Sequence, residues 1–125
     1  MQLKVSPAEI LDRWTILELK KEHILQEQAQ LSIRRQLNEL ATVWASANLP
    51  SRETLPPYSR LQEVNRELWE TEDALRAHES RQEFDDTFIA LARSVYRLND
   101  ARSEAKRALN TLLRFDQDEW KSYGE

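Results

Sequence analysis

Hydrophobic residues recur along this chain every three or four positions, the period of a helix that buries one face. Ile10, Leu11, Trp14, Leu17, Ile24 and Leu25 form a first stripe, which predicts a helix over residues 6–26. Ile33, Leu37, Leu40, Ala41, Val43 and Trp44 form a second over 30–47, opposed by Arg34, Arg35, Asn38 and Glu39. Leu61, Val64, Leu68 and Leu75 mark a third over 58–80. Phe88, Leu91, Val95, Leu98, Ala105, Leu109, Leu112 and Leu113 mark the fourth and longest over 86–114. The two-residue alternation of a half-buried strand is missing throughout.

Local chemistry supports these boundaries. Ser6, Pro7 and Glu9 give an N-cap, a proline at the first helical position and a Ser-x-x-Glu capping box. Asp85 is placed to cap the fourth helix. Between Gln26 and Gln30 the polarity rises and the apolar phase shifts, which predicts a break. The stretch Asn48–Pro57 holds three prolines and cannot continue a helix. Ser80–Asp85 is a short turn, and short connections make antiparallel neighbours. The expected fold is therefore all-α. It is a four-helix bundle of two helical hairpins joined by a proline-rich linker, with residues 1–125 forming a single helical domain. The final ten residues carry Trp120 and Tyr123, which can fold back onto the bundle.

The polar residues that break the stripes carry what chemistry there is. Glu72 falls between Leu68 and Leu75 in the third stripe, with Asn65 and Arg76 at its edge. Asn99, Arg102 and Lys106 interrupt the fourth, and Glu18 interrupts the first. A carboxylate on an apolar face is costly unless it is paired or hydrogen-bonded. Two readings stay open. In one, Glu18, Asn65, Glu72, Asn99, Arg102 and Lys106 satisfy one another in a buried network, so that Glu72→Ala costs roughly 3–5 kcal/mol. In the other, Glu18, Asn65, Glu72, Arg76, Asn99, Arg102 and Lys106 line a polar pocket between helices 1, 3 and 4. There Arg102 and Lys106 hold a carboxylate or phosphate. Mixed signs neutralise each other, which favours the first.

Composition narrows the function classes. A chain of 125 residues can bury a core without covalent staples, and with no cysteine it has no disulfide and no thiolate metal site. That suits a cytoplasmic setting. Lys+Arg 18 against Asp+Glu 22 gives a net charge of −4 with interspersed signs, which argues against a nucleic-acid partner. No apolar run is long enough to span a membrane. His23 and His78 lie far apart, and Glu63, Glu67 and Glu70 point away from the stripe, so no metal site is expected. Neither a glycine-rich phosphate loop nor a nucleophile motif is present, and no cofactor is expected. The inward Arg102, Lys106 and Glu72 are loosely similar in residue type to the dicarboxylate site of all-helical chorismate mutases.

Several blocks together resemble a known family. They are Val5-Ser-Pro-Ala-Glu-Ile-Leu-Asp-Arg-Trp-Thr-Ile-Leu-Glu-Leu19, then Val64-Asn-Arg-Glu-Leu-Trp-Glu-Thr-Glu-Asp73 with Arg76. Phe88-Ile-Ala-Leu-Ala-Arg-Ser-Val-Tyr-Arg-Leu-Asn-Asp100 follows, with Arg102, Lys106, Arg107, Asn110 and finally Lys121-Ser-Tyr123. The family is an uncharacterised bacterial one, a domain of unknown function. The resemblance implies a helical fold and a bacterial setting, and no activity. In that pattern leucine is usual at Trp14 and lysine at Arg13.

The expectation is thus a bacterial, cytoplasmic helical bundle that acts as a binding or self-associating interaction module without catalysis. Homo-oligomerisation is expected because Ile16 and Leu19 lie on the side of helix 1 away from its main stripe, beside Asp12 and His23, and because four tryptophans exceed what a small bundle needs. The alternative is an anion-binding protein or enzyme built on the pocket between helices 1, 3 and 4. The sequence does not decide between them.

Overall fold

The computed structural model describes residues 5–115. Four α-helices occupy it: α1 (Pro7–His23), α2 (Glu27–Ser46), α3 (Pro56–Arg81) and α4 (Asp86–Leu112). A single 3-10 turn, Arg52–Thr54, interrupts the linker between α2 and α3. There is no strand among the described residues.

The helix ends follow from side-chain and backbone capping. Ser6 accepts a hydrogen bond from the Glu9 N–H at 3.2 Å, while the Glu9 carboxylate turns outward to Lys106 on α4. Asp85 accepts from the Phe88 N–H at 3.0 Å and opens α4. At the other end of that turn, Gln82 closes α3 in the left-handed region at φ 55°, with the Glu83 N–H bonded to the His78 carbonyl at 3.0 Å. The predicted break sits at Ile24–Gln26, and α2 begins at Glu27, earlier than residue 30. Gln30 explains the stop. Its amide donates to the carbonyls of Lys21 and Ile24 at 2.8 and 2.7 Å, satisfying groups that the end of α1 leaves open.

Of the three prolines placed in the linker, only Pro50 lies there. Pro56 and Pro57 open α3, where a missing N–H costs nothing. The linker is fastened to the bundle rather than free. Trp44 donates through Nε1 to the Pro50 carbonyl at 2.8 Å, and the Arg52 guanidinium lies 3.9 Å above the Trp14 ring. Arg52 also donates to the Tyr58 hydroxyl and pairs with Glu18 and Glu53. Burial raises the Tyr58 pKa, and the hydrogen bond from Arg52 offsets only part of that.

α1 is the centre of the packing. It touches α2, α3 and α4, and Pro7, Ala8, Ile10, Leu11, Asp12, Trp14, Thr15, Leu17 and Leu19 along it are buried. Ala8, Ile10, Leu11, Trp14, Trp44, Leu55, Tyr58, Leu61, Ala105 and Leu109 form one hydrophobic cluster. At 17 residues α1 is about 25 Å long, against about 40 Å for α3 and α4 with 26 and 27 residues. It ends level with Trp69, whose ring lies 4.9 Å from that of His23. Beyond that level the α3–α4 hairpin continues as a two-helix arm.

Candidate functional site

The buried polar centre of the molecule is Asp12. Ala8, Asp12, Thr15 and Leu19 stand at i, i+4, i+7 and i+11 on α1, a second buried stripe beside the one marked by Ile10, Trp14 and Leu17. α4 runs antiparallel to α1 and α3 parallel to it. Ala8 therefore donates its N–H to Asn110 at 3.0 Å, while Asp12 meets Arg102 and Asn65. Arg102 grips Asp12 with two donors, Nε to Oδ1 at 2.9 Å and Nη2 to Oδ2 at 2.5 Å. Asn65 donates from Nδ2 to Asp12 Oδ1 at 2.9 Å and to Thr15 Oγ1 at 2.6 Å. Thr15 donates its own hydroxyl to the Asp12 backbone carbonyl at 2.7 Å. Lys106 pairs with Glu9 and stands 3.8 Å from Asp12.

The electrostatics agree with that geometry. Burial raises the Asp12 pKa, but hydrogen bonds from Arg102 and Asn65 and the charges of Arg102 and Lys106 outweigh it. Together they hold the carboxyl below its ordinary value. The bond to Asp12 raises the Arg102 pKa, with smaller help from the charges of Asp12, Glu9 and Glu72. Asp12 and Arg102 are thus a two-donor ion pair in which the Asp12 carboxylate accepts a third bond from Asn65, the arrangement that makes a buried carboxylate tolerable.

The expected inward residues divide. Asn65, Arg102 and Lys106 are drawn together around Asp12, and Glu18 is half-buried but faces Arg52 of the linker at 3.6 Å rather than Arg102. Glu72, Arg76 and Asn99 are exposed, and Arg76 pairs with its neighbour Asp73 at 2.6 Å. For Glu72 the reason is the length of α1. Glu72 lies two turns beyond Asn65 on the same stripe of α3, and Asn99 lies one turn above Arg102 on α4. Glu72 passes the level at which α1 ends, and Asn99, short of that level, lies on the exposed side of α4. The cost foreseen for removing Glu72 belongs to Asp12. The sequence puts Asp12 with Leu19 on the side of helix 1 away from its main stripe, and that side is packed within the chain because α1 touches α2, α3 and α4.

Leu19, Trp14 and Trp44, which the sequence offers for self-association, are buried within the chain, while Ile16 and Trp69 are half-buried. A different uncovered surface takes their place. In α4 no residue before Ala105 is buried. Ile89 and Tyr96 are exposed, while Phe88, Leu91, Val95 and Leu98 are half-buried against α3. Glu67, Glu70 and Thr71 of α3 face Leu91, Ser94, Arg97 and Leu98 of α4 across a shallow groove. Glu67 and Glu70 on one helix and Arg93 and Arg97 on the other make no ion pair among the described residues.

At the tip of the arm, His78, Glu83 and Asp85 bring ligand-type atoms within 4.8 Å of one another. Local bonds account for the grouping. His78 Nδ1 donates to the Glu83 carbonyl at 3.0 Å, and Asp85 caps α4.

A family model described as a family of unknown function, DUF6165, matches residues 1–123. The chain belongs to that family. No curated protein and no solved structure matches it. The Asp12 network and the uncovered arm therefore stand as features of a DUF6165 chain read from its own geometry. No helix among the described residues is long and apolar enough to cross a membrane. Trp120, Tyr123 and the rest of the tail lie outside the described residues.

Proposed function

We propose that this chain is a bacterial, cytoplasmic interaction module without catalysis of its own, and that it self-associates through the α3–α4 arm. One observation carries the reading: over the first two-thirds of α4 the apolar residues are at best half-buried, and Ile89 and Tyr96 lie open. Two helices share a single seam, and a stable bundle needs further helices to cover their remaining apolar faces. The occupant is a second copy. The arm carries Glu67 and Glu70 on α3 and Arg93 and Arg97 on α4, with no ion pairs of their own among the described residues. Under a two-fold axis, α3 of one copy lies against α4 of the other, and the acidic row meets the basic one. The self-satisfied Asp12 network supports the absence of catalysis, because its cation and its carboxylate are already spent on each other. The cysteine-free composition suits the cytoplasm.

Sedimentation equilibrium tests the assembly. The wild type sediments as a dimer, Glu70→Arg and Arg97→Glu each weaken it, and the double exchange restores it. A wild-type monomer at high concentration, or a double variant no better than the singles, rejects the arm as the interface.

A further inference from the structure

α1, α2 and α4 enclose a polar cleft of about 350 Å³ on the side of α1 away from α3, lined by Glu9, Asp12, Arg13, Ile16, Leu17, Lys20, Gln36 and Arg102. Its volume is at the small end of ligand sites. We propose that this cleft binds a small organic dianion, two carboxylates or a carboxylate and a phosphate joined by a short apolar segment. It is independent of the arm.

Charge is the first argument. The chain carries −4, yet around this cleft four cations, Arg13, Lys20, Arg102 and Lys106, meet two carboxylates, Glu9 and Asp12. Both carboxylates are engaged, Asp12 by Arg102 and Glu9 by Lys106. That leaves Arg13 and Lys20, which form no ion pair among the described residues. Arg102 uses Nε and Nη2 on Asp12 and makes no hydrogen bond with Nη1. The local surplus is therefore positive in an acidic protein, and an anion entering the cleft meets donors whose charge is not already cancelled.

Spacing is the second. Arg13, Ile16 and Lys20 stand at i, i+3 and i+7 on one stripe of α1, so two cations about 10 Å apart along the axis bracket an apolar side chain. Ile16 is half-buried and Leu17 is buried. An anion with a charge at each end and methylenes between them matches that order. Arg13 offers a bidentate fork for a carboxylate or phosphate, Lys20 a point charge for the other end. Gln36 holds its amide N–H toward Ser32, which leaves its carbonyl oxygen for a hydroxyl on the ligand.

The test follows thermal unfolding with glutarate, 3-phosphoglycerate, acetate and inorganic phosphate, each against sodium chloride at equal ionic strength. Glutarate or 3-phosphoglycerate raises the melting temperature along a saturating curve, and acetate and inorganic phosphate do so less. Replacing both cations, Arg13→Gln with Lys20→Gln, weakens binding by about tenfold per cation. The same charge change on the outer face of α2, Arg34→Gln with Arg35→Gln, leaves it unchanged. The two cleft cations hold no carboxylate, so their loss spares the fold, and the ligand-free melting temperature verifies this. Four results overturn the proposal: no probe exceeding the salt control, equal response of the cleft variant and wild type, equal loss in the α2 variant, or inorganic phosphate matching the two-ended anions.

Discussion

Removing the Asp12 carboxylate is the most informative single perturbation of this bundle. The side chain is 5% exposed and accepts three hydrogen bonds, one from Asn65 and two from Arg102, with Lys106 nearby. In Asp12→Ala, Asn65 keeps Thr15 and Lys106 keeps Glu9, so both stay partnered. Arg102 loses both of its bonds and becomes a part-buried cation without its partner. Breaking a buried pair in this way costs roughly 3–5 kcal/mol. The Arg102 side chain is 30% exposed and can swing part of its head to water, which favours the lower end, about 3 kcal/mol. For a chain of this size that lowers the melting temperature by about 10–15 °C. Circular dichroism melts of Asp12→Ala, Arg102→Met and the double variant give the measurement. The double variant is less destabilised than the sum of the singles by about 1–3 kcal/mol, because it leaves no orphaned charge. Single variants that melt within experimental error of the wild type, or strictly additive costs, would refute the claim that this pair holds α1 in place.

Two further outcomes follow from the same contacts. The Asp12 pKa is lower in the folded chain than its ordinary 3.8, so its contribution is complete above that value and is lost as the pH falls through the lower folded one. The stability gap between wild type and Asp12→Asn, read by urea unfolding, is therefore constant from neutral pH to about 4 and closes in stronger acid; a gap that closes well above 4 contradicts the assignment. Arg52→Ala removes the stack on Trp14 and the contacts to Tyr58 and Glu18, and costs about 1–2 kcal/mol in the same assay. Arg52→Lys recovers less than half, because the flat guanidinium is what covers the indole.

What could be read from the sequence was local. Ser6 and Asp85 cap the helices they were expected to cap, because a capping bond spans three residues and needs nothing else in the fold. The four stripes gave four helices for the same reason. Asp12 was missed because its partners, Asn65 and Arg102, are 53 and 90 residues away. A signal was present all the same. Ala8, Asp12, Thr15 and Leu19 repeat at helical spacing beside the Ile10–Trp14–Leu17 stripe, and two apolar stripes on one helix mean neighbours on two sides. Glu72 is misplaced for the converse reason. Its stripe is continuous with Asn65, but periodicity along α3 carries no information about where α1 stops.

The end of α1 thus divides the molecule into two parts with different physics. Below Trp69 the helices close over Leu61, Val64, Ala105 and Leu109, all buried, and the buried carboxylate there, Asp12, is paired with Arg102. Above it, among the described residues, α3 and α4 pack on each other. A substitution below that level acts first on stability, as the Asp12 variants would. If the arm is the interface proposed above, Ile89→Lys on its outer face lowers the dimer fraction in sedimentation equilibrium and leaves the melting temperature of the monomer nearly unchanged, since Ile89 is already 51% exposed; unchanged sedimentation contradicts the proposal.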